Sequence, residues 1–404
     1  MQNQARQQRS MLPLGFLNFF IYGIMVIFGG FFQLYLQDIG LDKLEIGSLI
    51  AMAPVVSIAA HPFWKYCNER QQNAKYVLVM TLTGLLVASL LVYQATTYTN
   101  LYWIMIVFYF FQTTLPAQNN TLTLHYIEPS RYKFETLRQW GSIGTGVIAI
   151  ISGVIFYVYD QIDLIFVLIA CLLLAIGSAF ILRPVPYGNE VLRLTSKEIR
   201  GSLQSKHFIV FVILGMLIAI SSTMNAIFMP IFLTELGGSR LDVGLAIALS
   251  VVAETAVYLA LRRYIRKDLT SLMICIAITA LLFSIRWYLM SQTTSPAQVL
   301  LLQCMHAITL GGFYYVGTQI TTLLLPRPFR SSGQAVLTLG WGGVSGVIAG
   351  LLGGWLYQTF GGVTMYKAGF TFAFIGMLGF AFMGYRMFKR GYTPIIHNPE
   401  YDSE

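Results

Sequence analysis

A few side chains in this 404-residue sequence stand where charge is expensive. Glu254 is set in Ser250-Val-Val-Ala-Glu254-Thr-Ala-Val-Tyr-Leu-Ala-Leu261, part of an apolar run from about residue 243 to 261. It lies about 12 residues after Asp242 and eight before Arg262. A helix rise of ~1.5 Å per residue then puts the carboxylate roughly 18 Å below one face of a bilayer, near the midplane. An ionised carboxylate there costs at least ~2.5–3.5 kcal/mol. Arg286, in Phe283-Ser-Ile-Arg286-Trp-Tyr, lies about 7 residues from the end of its own run, and His306, in Gln303-Cys-Met-His306, about 8 residues into the next. Both are roughly 11 Å deep from the same face, with Glu254 about one turn deeper. If the helices are neighbours, a carboxylate, a guanidinium and an imidazole can meet, which offsets much of their burial cost and leaves a titratable site. A buried Glu or a His can change charge near neutral pH; Arg cannot, but it can bias a neighbouring carboxylate or hold an anion. The chemistry this implies is proton handling. The bland alternative for Glu254, a structural carboxylate tied to a buried Arg, is compatible with it.

A second group of polar residues lies earlier in the chain. Arg138 opens Arg138-Gln-Trp140-Gly-Ser, and the preceding run offers Gln112, Gln118, Asn119 and Asn120. Arg138, Asn119, Asn120, Trp140 and Tyr315 are the expected solute contacts. Aromatic rings stack on sugars, bases and phenyl groups alike, so they do not choose among these. No HExxH, GxSxG elbow or nucleotide loop is present, so neither a catalytic residue nor a metal or cofactor is expected, and the chain is not read as an enzyme. The driving force would be a proton gradient.

The elements that position these residues follow from composition. The chain is 56% hydrophobic and 11% charged, with mean hydropathy +0.65, whereas soluble domains carry about 25% charged residues. It is therefore read as an all-α integral membrane protein. Apolar runs fall at about 12–36, 46–64, 76–95, 101–124, 137–158, 164–182, 208–233, 243–261, 270–290, 298–325, 335–358 and 364–388, which predicts about twelve transmembrane helices. A β-barrel would show shorter alternating segments of ~10 residues. The first run is too long for a cleavable signal peptide. Cys67, Cys171, Cys275 and Cys304 have no CxxC spacing and read as membrane-packing residues.

The net charge of +9 does not point to nucleic acid, because the basic residues fall in short loops. Arg6, Arg9, Lys65, Arg70, Lys75, Arg131, Lys133, Arg183, Arg193, Lys197, Arg200, Lys206, Arg262, Arg263, Arg266, Lys267, Arg327, Arg330, Arg386, Lys389 and Arg390 share one side. The other side carries Lys43, Arg240 and Lys367 among Asp38, Asp42, Glu45, Asp160, Asp163, Glu235 and Asp242. Both termini are therefore expected in the cytoplasm, with the protein in the inner (plasma) membrane. An internal repeat is also legible. Leu36-Gln-Asp38-Ile-Gly40 precedes Leu44-Glu45-Ile46-Gly47, and Leu233-Thr-Glu235-Leu-Gly237 precedes Leu241-Asp242-Val243-Gly244 at the same spacing; Trp140-Gly141-Ser142-Ile143 answers Trp341-Gly342-Gly343-Val344. The expected organisation is a six-helix half at 1–183, a basic linker at 184–206 and a second half at 207–404. Parallel repeats of this kind bind solute near the midplane.

At these residues the chain resembles the major facilitator superfamily, in particular the branch of phenylpropionate permeases and nucleoside and oligosaccharide proton symporters that includes lactose permease. Arg138-Gln-Trp-Gly-Ser, Ala253-Glu254, Ile285-Arg286-Trp287 and Met305-His306 carry the resemblance. It implies a major facilitator fold of two pseudo-symmetric six-helix bundles and proton-coupled symport by alternating access, with Arg138 on the solute and Glu254, Arg286 and His306 linking binding to protonation. The expected partners are a small organic solute (an aromatic acid, sugar or nucleoside), protons and the lipid bilayer, with the chain a monomer. The sugar-permease pattern has carboxylates where this chain has Asn119-Asn120 and Thr309, which shifts the proton role to Glu254. A drug/proton antiporter of the same fold is the alternative; the lack of acid at Asn119, Asn120 and Thr309 counts against it.

Overall fold

The apolar runs fold as α-helices, and the breaks fall where side-chain and glycine chemistry require them. The structure, a computed structural model, describes residues 2–95, 97–127, 134–159, 163–184, 201, 203–264 and 268–389. Asp160, Arg131, Lys133, Arg193, Lys197, Arg200, Arg266, Lys267, Arg390 and most of the expected 184–206 linker lie outside these residues.

The first helices are α1 (Gln2–Asp38), α2 (Lys43–Gln71), α3 (Ala74–Gln94), α4 (Tyr98–Gln112), α5 (Leu115–Ile127), α6 (Phe134–Val158) and α7 (Leu164–Ile181). Then come α8 (Lys206–Glu235), α9 (Arg240–Tyr264), α10 (Leu269–Ser291), α11 (Pro296–His306), α12 (Gly312–Leu324), α13 (Arg330–Thr338) and α14 (Ser345–Lys389). Two π-helical stretches, Ala307–Gly311 and Leu339–Val344, join α11 to α12 and α13 to α14.

Nine helical stretches among the described residues are long and apolar enough to cross a bilayer. The last, Arg327–Lys389, is 63 residues long and is interrupted at Gly361 (φ 82°, ψ 167°), which gives it the length of two passes. Together α4 and α5 make one pass. They part at Thr113 and Thr114 because the ring of Pro116 collides with the carbonyl four residues back, that of Gln112. The threonine hydroxyls cap the break: Thr113 Oγ1 donates to Tyr109 O (2.8 Å), which also accepts the Thr113 backbone N–H, and Thr114 Oγ1 donates to Phe111 O (3.1 Å). With the 25-residue α9, each of the twelve expected runs has a helical counterpart.

The chain divides into two compact units, Met1–Val191 with Pro230–Val251, and Leu192–Met229 with Val252–Glu404. So α8 and α9 each contribute residues to both. In the first unit α1 packs on α6 and α7. A Cβ on Gly144 would sit 2.2 Å from the Phe19 carbonyl oxygen, so only glycine lets these backbones approach. Lys75 Nζ donates to the carbonyls of Phe180 (2.9 Å) and Leu182, capping the end of α7 with a positive charge. In the second unit α10 packs on α12 and α14. Phe313 stacks on Trp341 at 4.1 Å, Phe211 lies 5.5 Å from the same ring, and Trp341 Nε1 donates to Val212 O (3.0 Å).

Both repeat signatures have structural counterparts. Gly40 (φ 95°) and Gly237 (φ 89°) take the left-handed turn that glycine alone adopts freely. Each is followed by a reciprocal cap. Asp42 accepts from Glu45 N (2.8 Å) while Glu45 accepts from Asp42 N (3.0 Å); Asp242 accepts from Ser239 N (2.7 Å) while Ser239 Oγ accepts from Asp242 N (3.2 Å). Trp140 lies over Gly15, whose Cβ would be 3.0 Å from the indole, and Trp341 lies over Gly215, whose Cβ would be 2.1 Å away.

Candidate functional site

A buried stripe of α10, including Phe283, Arg286, Trp287 and Met290, recurs at helical spacing and faces the core of the second unit. Its one charge is Arg286, with no solvent exposure. Nη1 lies 2.9 Å from His306 Nδ1 and donates to Thr309 Oγ1 at 3.4 Å, while Nη2 donates to Gln303 Oε1 at 2.7 Å. The guanidinium lies 4.6 Å from the centre of the Trp287 ring, a cation–π contact. Trp287 is held in turn, donating Nε1–H to Ser221 Oγ (3.0 Å) and stacking on Tyr366, whose hydroxyl donates to Asn225 Oδ1 (3.1 Å). A chain of hydrogen bonds thus orients the cation through its ring neighbour.

Those partners fix the chemistry of His306. A guanidinium only donates, so Nδ1 must accept, and the ring is neutral with its proton on Nε2. Protonating Nδ1 would remove the acceptor and set two cations against each other. Arg286 is therefore a buried charge held by neutral groups, and its Nε has no hydrogen-bond partner.

His306 ends α11, and the π-helical stretch Ala307–Gly311 begins with the next residue. Such stretches interrupt the regular hydrogen-bond ladder and concentrate at functional positions. Within this one, Thr309 Oγ1 donates back to Met305 O (2.9 Å) while accepting from Arg286. At its end a Cβ on Gly311 would lie 3.5 Å from Glu254 Cγ, so the carboxylate side chain, half-buried on α9, packs against the bare backbone of Gly311.

The expected meeting of three groups is corrected accordingly. Arg286 and His306 meet; neither bonds Glu254. The depth difference is the physical reason. Helix rise puts Glu254 about a turn deeper, and it faces Gly311, more than a turn beyond His306 along the α11–α12 run.

In the first unit, Arg138 on α6 is exposed and makes no hydrogen bond or ion pair among the described residues. Trp140, half-buried, packs on Gly15 and on the ring of Phe16 at 5.6 Å. Asn119 is fully buried and donates to Asn18 Oδ1 (2.8 Å), while Asn18 donates to Thr123 Oγ1 (3.3 Å), so this network ties α1 to α5. Asn120, in the first unit, and Tyr315, in the second, are half-buried. Gln303 and Thr309 as holders of Arg286, and Asn18 as the partner of Asn119, went unrecognised in the sequence. Each is a polar side chain in an apolar run, which was the available signal.

The family model described as "MFS_1 like family" matches residues 11–368. "Uncharacterized transporter YwbF" of Bacillus subtilis (strain 168) is 21% identical over 358 residues, covering 88% of each chain. "Maltose permease" of Geobacillus stearothermophilus is 23% identical over 368 residues, covering 88% of this chain and 89% of its own. Among solved structures, the nucleoside transporter NupG superposes with a TM-score of 0.79 at 16% identity, covering 94% of this chain and 98% of its own. A bacterial homologue of the human lysosomal transporter Spinster, inward-facing and occupied, gives 0.70 at 11% identity over 95% and 97%. At these identities the structural likeness speaks for the fold.

Proposed function

The chain belongs to the MFS_1 like family, and from that premise we propose that it is a proton-coupled symporter that carries a small organic solute across the membrane by alternating access. It is a major facilitator superfamily transporter and a multi-pass membrane protein. The one-sided distribution of basic residues supports cytoplasmic termini and residence in the inner membrane.

One observation carries the coupling: a half-buried carboxylate, Glu254, lies in a membrane-spanning helix against the π-helical stretch that holds Thr309 and follows His306. It is the group there able to gain and lose a proton without breaking the Arg286–His306 bond. Arg286 and His306 serve coupling by fixing the start of that stretch. Arg138, exposed and without a partner among the described residues, is the proposed solute contact, with Asn120 and Tyr315 as further neutral candidates. A planar guanidinium suits carboxylate and hydroxyl oxygens. That fits an aromatic acid, a sugar or a nucleoside, and relatives named as a maltose permease and a nucleoside transporter favour the last two.

The test has two steps. A thermal-shift screen of purified protein against sugars, nucleosides, aromatic acids and cationic drugs identifies a solute, because binding raises apparent stability. Liposomes containing wild type or Glu254→Gln are then compared for counterflow and for accumulation driven by a proton gradient. Gln imitates the protonated carboxyl at nearly the same shape, so counterflow should persist while accumulation is lost. Wild-type accumulation and proton flux in Glu254→Gln would make Glu254 structural and sink the coupling.

A further inference from the structure

Two ion pairs at the end opposite the basic loops connect the sequence repeats to each other. Lys43 Nζ lies 3.3 Å from Glu235 Oε1, and Arg240 Nη2 lies 2.6 Å from Asp38 Oδ2. Asp38 and Glu235 each stand two residues before a left-handed glycine, Gly40 or Gly237, and Lys43 and Arg240 each stand three residues after it. The four are thus two pairs of repeat-equivalent positions. The cation of each repeat meets the anion of the other. Adventitious surface pairs have no reason to recur with the repeats exchanged, so the arrangement is built into the duplicated turn.

All four residues belong to the first unit, in which Pro230–Val251 packs beside the first repeat. Beyond the ion pairs the packing is sealed by glycine. A Cβ on Gly244 would lie 2.4 Å from Ala149 O, one on Gly153 3.0 Å from Arg240 O, and one on Gly30 2.3 Å from Ile247 Cδ1. No solute passes through a seam of that closeness. Beside it, cavities of 610 and 250 Å³ both include Asp38 and Arg240 in their walls, so water reaches the pairs. Their side chains are between 23% and 50% exposed.

We propose that these reciprocal pairs are an outer latch: they hold Pro230–Val251 against α1, α2 and α6, and both must part for solute to enter from that side. This rests on the carrier reading above. Weak, hydrated pairs suit the task. A buried pair would resist opening in every cycle, whereas an exposed one shifts an equilibrium by no more than roughly fivefold and reforms readily. Two acting together bias the closed arrangement without freezing it.

The experiment uses Ala246, fully buried two residues beyond Gly244, as the reporter. In full-length protein with its four cysteines changed to serine, Ala246→Cys is exposed to a membrane-impermeant maleimide from outside. Asp38→Lys, which sets a lysine beside Arg240, should raise the labelling rate roughly threefold to tenfold. The exchange Asp38→Arg with Arg240→Asp should return it to the starting rate. Lys43→Glu and its exchange with Glu235→Lys should behave the same way, and high salt should speed labelling of the intact latch. Restoration by exchange separates latch opening from misfolding. Labelling unchanged by both reversals, or raised and not restored by either exchange, overturns the latch. The readout needs no solute and no proton gradient, so its failure is distinct from that of coupling: Glu254→Gln with wild-type accumulation would sink coupling and leave a responsive latch standing.

Discussion

Arg138 and Arg286 both stand in apolar helical runs, and their environments are opposite. Arg286 has no exposure, three hydrogen-bond partners and a tryptophan face beneath it. Arg138 is exposed and has no partner among the described residues. A buried charge whose two terminal nitrogens are already engaged cannot turn them to a solute without abandoning those partners. One whose donors are unengaged has them available for a ligand. Arg286 holds the protein's own architecture, and Arg138 is the one proposed to hold a solute.

The largest effect should come from keeping the buried charge while removing its fit. Arg286→Lys retains a cation that cannot reach His306, Thr309 and Gln303 at once, so it should cost roughly 2–4 kcal/mol of stability. Arg286→Met removes the charge together with its desolvation and should cost less. Thermal unfolding of detergent-solubilised protein reads the difference. Equal melting of wild type and Arg286→Lys would show that the hydrogen bonds around Arg286 do not orient it.

At Arg138 the same conservative change should act on binding alone. Arg138→Lys should leave melting within about 0.5 kcal/mol, because the side chain is exposed and makes no hydrogen bond or ion pair among the described residues. Solute affinity should fall about tenfold, as the planar fork is exchanged for a point charge. A lysine variant that binds like wild type would end the case for direct contact.

Much of this comparison was legible in the sequence, and the limits were physical. Depth along a helix follows from rise per residue, so Arg286 and His306 could be placed at one level and Glu254 a turn deeper. Azimuth and neighbourhood do not follow from depth, which is why a three-way cluster was expected and a two-way one is found. The same gap hid Asn18: nothing in one run says which other run it packs against, so the tie that Asn119 makes between α1 and α5 was not legible. The π-helical stretches were invisible because Ala307–Gly311 and Leu339–Val344 contain no residue that forbids a regular helix. The repeat was visible because turn chemistry is local: a left-handed glycine and a reciprocal cap need particular residues at fixed offsets.

The smallest expected effect is the one that most sharpens the contrast between the arginines. If His306 only accepts a hydrogen bond from Arg286, its essential property is a lone pair at the Nδ1 position, not its ability to titrate. His306→Asn can offer an amide oxygen near that position and cannot take up a proton. Stability should then change by less than about 1 kcal/mol, since one acceptor replaces another. His306→Ala, which leaves the guanidinium short of a partner, should cost more, roughly 1–3 kcal/mol. In liposomes, His306→Asn should retain proton-driven accumulation that Glu254→Gln loses. The opposite result, normal melting and counterflow with accumulation abolished in His306→Asn, would mean that the imidazole is protonated during the cycle. Arg286 would then have to release it, and the buried guanidinium would be a moving part of transport instead of a fixed one.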